Sequence, residues 1–460
     1  MGTTSTPARR DTTLDVLRMV AALGVVATHA RWLAQAPSGR TASVADALHA
    51  SLWQGSRTTV YIFFALSGFL IARPYLAALL DGTAVPSPRA YALRRVTRIV
   101  PAYWIAFTAF LVFGFGVGAH FGGVLDHYLI IHNEIPGDAG TLLPVAWTLG
   151  IEASFYLAVP VVAALVRRPT AAPITERRLL AWVAALAAGS VALHLAVFTR
   201  PLPTGWGSVV QYTLPAQLLF FVPGIVLAVV EHRRRRPTTS RPVLLAGSLA
   251  AAAGWVGCMW LFVVPTTIPA GISSIGFALL SGSILCLARW SPEPTSAPGR
   301  AAVWVGTISY GLYLWHWLVM RAMYGWWGAA FAGTRTVSWP LSTAVVFTLT
   351  LPVAAASWYF VERPLMRWAS ARVRPVAPVA AGAGIPPPPP PPPLPPALPE
   401  ALEPWSPEPE PEPEPVQGYD ELVPLAPTLL MATTARPRSR PVLSGARAGR
   451  VGPQGRGTGL

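Results

Sequence analysis

The stretch VAWTLGIEASFYLAVPVVAALV, Val145–Val166, runs for 22 residues with one charged side chain, Glu152, and ends on Arg167 and Arg168. An apolar run near the roughly 20 residues that a bilayer core requires reads as a membrane-spanning helix. Nine further runs of that kind flank it. They are Leu14–Trp32, Val60–Ala78, Ile99–Gly118, Leu179–Phe198, Tyr212–Val230, Val243–Val264, Pro269–Ala288, Val303–Trp326 and Trp339–Val361. The expected fold is therefore all-α: a polytopic integral membrane helix bundle of about ten transmembrane helices.

Composition excludes the soluble alternative. The chain has 460 residues, enough for about three ordinary soluble domains. Yet 53% of them are hydrophobic and only 12% charged, against roughly 25% charged in a soluble domain. Mean hydropathy is +0.46. So few charges could not cover three soluble surfaces.

Basic residues number 35 and acidic ones 20, a formal net charge of +15. Every one of the cations is arginine, a bias that GC-rich coding explains without function. They are scattered between apolar runs rather than gathered on one face, which argues against nucleic acid as a partner. Their spacing suits the positive-inside rule. Arg9 and Arg10 precede the first span. Arg89, Arg94, Arg95 and Arg98 lie before the third, and Arg167, Arg168, Arg177 and Arg178 follow the fourth. Arg233–Arg236 follow the sixth, Arg289 and Arg300 the eighth, and Arg363, Arg367, Arg372 and Arg374 the tenth. The alternate loops carry fewer. An even number of spans with both termini cytoplasmic satisfies this bias, and the expected location is the plasma membrane, multi-pass. Asp15 and Arg18 inside the first run argue against a cleaved signal peptide.

From about residue 371 the chain changes. Pro386–Pro393 is an unbroken proline run, and a Glu-Pro alternation follows. Residues 1–370 are expected to form the transmembrane domain. Residues 371–460 are expected to be a disordered Pro-, Glu- and Arg-rich cytoplasmic tail, either dispensable or a docking segment for a proline-recognising partner. Cys258 and Cys286 fit no disulfide or zinc framework, and no metal is expected. His120, His127 and His132 fall in one external loop, with surface positions expected.

Charges inside spans cost several kcal/mol, about 2.5–3.5 for Arg or Asp at a helix centre, and so point to function. Glu152 lies about seven residues into its run. Arg18 and His29 are eleven apart, which returns both to one helix face about 16 Å apart along the axis. Asp15 is placed to pair with Arg18. His29 and Glu152 could share a depth, and a His–carboxylate pair is what a general base needs. A packing role is the plainer alternative for both, and for His316 among its aromatic neighbours. Arg95 and Arg98, three apart and beside Arg94, Pro101 and Tyr103, could hold a phosphorylated cytoplasmic donor; anchoring the topology would need only their charge.

These residues sit in stretches that resemble one family, the multispanning membrane acyltransferases of family 3, over about residues 11–368. The stretches are Leu14–Arg18 through His29, Phe63–Ile71, Arg94–Tyr103, Trp147–Tyr156, Ile308–His316 and Phe360–Pro364. The resemblance implies transfer of an acyl group, with acetyl expected, from cytoplasmic acyl-CoA as co-substrate, with no bound cofactor. The acceptor it implies is a hydroxyl on a sugar, polysaccharide, lipid-linked glycan or macrolide. It makes His29 the catalytic base and Glu152 its partner, and has Arg18 help stabilise charge or the donor. Arg95 and Arg98 would bind the donor phosphates, with Arg94, Tyr103 and His316 in the substrate or donor site. Some members carry a hydrolase-like domain after an added span. Nothing beyond residue 371 resembles one, so a stand-alone acyltransferase is expected. The rival reading is a transporter or flippase for a glycan or lipid, suited by Pro160, Pro215, Pro223 and Pro352 within spans.

Overall fold

The computed structural model describes residues 11–31, 56, 59–113, 121–138, 140–167, 173–199, 206–233, 240–263, 270–331 and 338–373. Contacts group residues 1–380 into one unit and 381–460 into another, and every described residue belongs to the first. The expected tail lies outside the described residues from 374 onward, and so does His120.

Among the described residues every regular element is helical. They are α1 (Thr12–Ala30), α2 (Val60–Asp81), α3 (Pro88–Val112), α4 (Phe121–Tyr128), α5 (Trp147–Val166), α6 (Glu176–Thr199), α7 (Trp206–Gln211), α8 (Leu214–Gln217), α9 (Val222–Arg233), α10 (Arg241–Val263), α11 (Ala270–Trp290), α12 (Ala297–Thr307), α13 (Ser309–Phe331), α14 (Trp339–Ala356) and α15 (Arg363–Arg372). Seven helical stretches are long and apolar enough to cross a membrane, and a bent pair makes an eighth. The remaining two expected spans are helices as well. One is α11, whose apolar stretch Ser274–Trp290 is shorter. The other is α12–α13, interrupted at Ile308 and rich in Trp and Tyr.

Three spans differ from the simple reading. The third helix starts at Pro88, eleven residues before the expected Ile99. Ser87 Oγ accepts from Ala90 N at 3.5 Å and Pro88 takes the first helical position, a standard start signal. Arg94, Arg95 and Arg98 thus ride on the helix itself. The sixth span is broken: Leu214–Phe220 and Val222–His232 meet at 53°, with Pro215 and Pro223 at the starts of the two pieces removing backbone donors. The tenth passes from α14 through a π-helical turn, Ser357–Glu362, into α15.

The core is aromatic. Phe221 stacks on Phe64 at 4.8 Å and on Phe155 at 4.2 Å, and Tyr61 stacks on Phe220 at 3.7 Å. Leu157, Leu165 and Phe360 point outward, 72%, 71% and 81% exposed, as lipid-facing positions do. α1 packs on α12, α13 and α14, and α2 packs on α9 and α5. Between these two groups lies the site.

Candidate active site

Helical periodicity builds the first part. On α5, Glu152 and Tyr156 are four apart and share a face; Tyr156 OH donates to Glu152 Oε2 at 3.0 Å. From α2, Ser67 Oγ donates to Glu152 Oε1 at 2.9 Å. On α3, Arg95 and Arg98 turn the same way, and the Arg95 guanidinium lies 5.5 Å from the Tyr156 ring and 5.6 Å from the Tyr91 ring. Arg18 of α1 reaches the same space, held by Asp15 at 2.5 Å. Arg18, Ser67, Arg95, Arg98, Glu152 and Tyr156 line a cavity of about 110 Å³, room for roughly three or four waters. Arg95 lines it, and its Nε is buried in the wall without a hydrogen-bond partner. A buried donor left unpaired is costly, and here it sits on a cation beside two further arginines. The arrangement suits an anion.

The second part is a pair of histidines. His29 Nδ1 and His316 Nε2 are 2.9 Å apart. The rings stack at 5.0 Å, and Trp317 stands edge-on to His29 at 5.2 Å. His316 is fully buried, and its Nδ1 lies 3.1 Å from the Leu312 carbonyl. Tyr313 belongs to both parts. It lines the cavity, and its ring lies 6.2 Å from His316. Its hydroxyl bonds Thr148 Oγ1 at 2.6 Å and also the Val145 carbonyl.

The cavity therefore brings together Arg18, Arg95, Arg98 and Glu152. The partners of the two expected centres differ from the pairing foreseen: Glu152 bonds Ser67 and Tyr156, while His29 bonds His316. Depth along a helix does not say which neighbour a face meets. Arg94 is exposed and outside the cavity. Tyr103 is fully buried, with its hydroxyl donating to the His127 carbonyl at 3.0 Å. Ser67, Tyr156, Tyr313 and Thr148 are polar residues that break no pattern in the sequence; only three-dimensional packing shows that they converge.

One expectation about polar residues is corrected. His127 and His132 are not surface residues. Both are fully buried and stack at 4.2 Å, because the short α4 and the turns after it fold down onto α3. Burial lowers the His127 pKa. Burial first and His127 second push that of His132 down to about 3. Among the described residues no group of three His, Cys, Asp or Glu could hold a metal. Glu362, at the edge of the last span, is also buried, 2% exposed, and accepts from Ser357 at 3.0 Å across the π-helical turn.

Comparison with known proteins bears on this site. The acyltransferase domain family matches residues 11–359. "Nodulation protein 10" of Rhizobium leguminosarum bv. viciae is 26% identical over 380 residues, 77% of this chain and 92% of that protein. "Acyltransferase MdmB" of Streptomyces mycarofaciens is 29% identical over 389 residues, 79% of this chain and 93% of that protein. "Peptidoglycan O-acetyltransferase OatA" of Listeria monocytogenes is 24% identical over 386 residues, 77% of this chain but 55% of that protein. No solved structure matches. The matched residues take in the arginine-lined cavity and both histidines, and the chain belongs to the family of multispanning membrane O-acyltransferases.

Proposed function

We propose that this acyltransferase takes an acyl group, acetyl in the first instance, from cytoplasmic acyl-CoA and places it on a hydroxyl of a carbohydrate acceptor. The observation that carries the donor half is the convergence of Arg18, Arg95 and Arg98 on one cavity. Guanidinium groups take phosphate through paired hydrogen bonds, and coenzyme A is the anionic acyl donor with phosphates to offer. Exposed Arg94 lies on the same helix, open to the outer phosphates. Glu152 is a positioning residue: its carboxylate balances the guanidinium charge and is itself held by Ser67 and Tyr156. A peptidoglycan O-acetyltransferase among the relatives supports the carbohydrate acceptor.

A hydroxyl is a poor nucleophile at neutral pH and needs a base. His29 takes the acceptor proton as the hydroxyl oxygen attacks the thioester carbonyl. The carbon–sulfur bond then breaks, and the coenzyme A sulfur leaves and recovers the proton from the imidazolium. The products are an ester and a free thiol. The broken span at Pro215 and Pro223 would also suit a flippase, and the same experiment separates the two. Purified protein is given labelled acetyl-CoA and peptidoglycan fragments. Label appearing as an ester is expected, and His29→Ala should reduce turnover by about 10²–10⁴-fold with donor binding retained. Full specific activity in a folded His29→Ala variant overturns the base assignment.

A further inference from the structure

We propose that His316 is a positioning residue that fixes the tautomer of His29 and so creates the base; the proposal rests on the reading of His29 as the proton acceptor. His316 Nδ1 lies 3.1 Å from the Leu312 carbonyl oxygen. A carbonyl only accepts, so His316 Nδ1 carries the hydrogen. His316 has no exposed surface, and a second proton would put a formal charge in the apolar interior of a membrane bundle. Its Nε2 is therefore a lone pair. That lone pair lies 2.9 Å from His29 Nδ1, so the hydrogen between them belongs to His29 Nδ1. The basic lone pair of His29 then falls on Nε2.

The consequence for the reaction is direct. Each histidine has one mobile hydrogen, and the Leu312 carbonyl sets both. When His29 Nε2 accepts the acceptor's hydroxyl proton, the resulting imidazolium donates its Nδ1–H to His316 Nε2 more strongly than the neutral ring did. No proton moves to His316. A base oriented by a third group is the general logic of nucleophile activation, and here the third group is a neutral imidazole rather than a carboxylate. Helix α13 supplies the geometry: Leu312 and His316 are four apart, so the orienting carbonyl comes from the same turn that carries the ring. Glu152 has its own hydroxyl partners and is not needed for this task.

Two measurements test it. Nitrogen-15 spectra of histidine-labelled full-length protein in detergent should show His29 with its hydrogen on Nδ1. In His316→Phe, which cannot accept, that preference should be lost. In His316→Gln, whose carbonyl can accept, it should be retained. Turnover, read as free coenzyme A thiol released from acetyl-CoA with water as acceptor, should fall on the order of tenfold or more in His316→Phe, a part of the 10²–10⁴ that a positioned base contributes. His316→Gln should recover part of it. In a His29→Ala background, adding His316→Phe should cost nothing further. Equal turnover in His316→Phe and the parent, or an Nε2–H tautomer of His29 in the parent, overturns the proposal. So does a further loss from His316→Phe in the His29→Ala background. Undiminished turnover in His29→Ala alone defeats the base assignment itself, and the spectra then still report whether His316 sets the tautomer.

Discussion

At the scale of single residues, Arg95 carries the strongest evidence, because its Nε is buried without a partner beside two aromatic faces. If Arg95 and Arg98 hold donor phosphate, replacing both by Ala should weaken acetyl-CoA binding while the protein still inserts. Lysine at both should restore it only in part, since an ammonium lacks the planar fork. Calorimetric titration of the solubilised protein measures this, and unchanged affinity in the double Ala variant would leave the pair as charge anchors. The sequence exposed Arg18, Glu152 and His29 because a charged or titratable group inside an apolar run is a physical anomaly in one dimension, and Arg95 and Arg98 because their spacing puts them on one helix face at the mouth of a run. It did not expose their partners. Ser67, Tyr156 and Tyr313 break no rule where they stand, and Glu362 reads as a span-end acid because the π-helical turn that buries it leaves no mark in the pattern.

At the scale of elements, the ten apolar runs were plain, and their interruptions were not. Pro215 and Pro223 were visible as helix breakers, yet the 53° bend depends on what the two pieces pack against. α2 and α9 meet backbone to backbone. A methyl group at Gly224 would run into the Ala65 carbonyl and, at 2.6 Å, the Phe69 nitrogen; one at Gly68 would run into the Phe221 carbonyl. Small residues let membrane helices approach this closely. Gly224→Ala should therefore lower stability by about 1–3 kcal/mol, seen as a lower melting temperature in detergent. It should also reduce turnover, since Ser67 and the cavity lie at the same contact. A variant with parental melting and turnover would mean that the two helices separate at little cost.

The segment after α4 gives a second prediction at this scale. Ile130 adopts φ 60°, an uncommon conformation for a β-branched residue, and the turn is pinned by Tyr103 on the His127 carbonyl. His132 resists protonation in the fold, its pKa down to about 3, whereas unfolded histidine titrates near 6.5. The unfolded chain thus binds more protons below pH 6.5. The contribution of this residue to stability is complete above that value and falls as pH drops from 6.5 toward 3, by up to about 1.4 kcal/mol per pH unit. Melting temperature should fall between pH 7 and pH 5, and less steeply in His132→Phe. Identical pH slopes in parent and variant would remove His132 from the explanation.

At the scale of the whole molecule, orientation is where arginine counting and packing meet. Arg289, at the end of α11, bonds Glu231 at 3.0 Å and Asp11 at 2.5 Å. His232 bonds Asp81 at 2.8 Å. These contacts gather the start of α1 and the ends of α2, α9 and α11 on one side of the bundle. Trp339 Nε1 donates to the Ala27 carbonyl at 2.6 Å, so the start of α14 meets the end of α1 on the opposite side. The chain leaves α9 on the first side toward Arg233–Arg236, and α3 starts there, with Arg89, Arg94 and Arg95 on the helix. Positive segments are retained in the cytoplasm, and the proposed donor, cytoplasmic acyl-CoA, would reach the arginine-lined cavity from that face. The expected result follows: a reporter inserted within residues 234–239 is active only in the cytoplasm, and one inserted within residues 264–269 only outside. The arginines of the first loop should set this arrangement jointly with the others, so neutralising Arg233–Arg236 alone should leave most molecules correctly oriented. The reverse reporter pattern would place the arginine cavity on the outer side, where no acyl-CoA is supplied, and would overturn the donor assignment together with the topology.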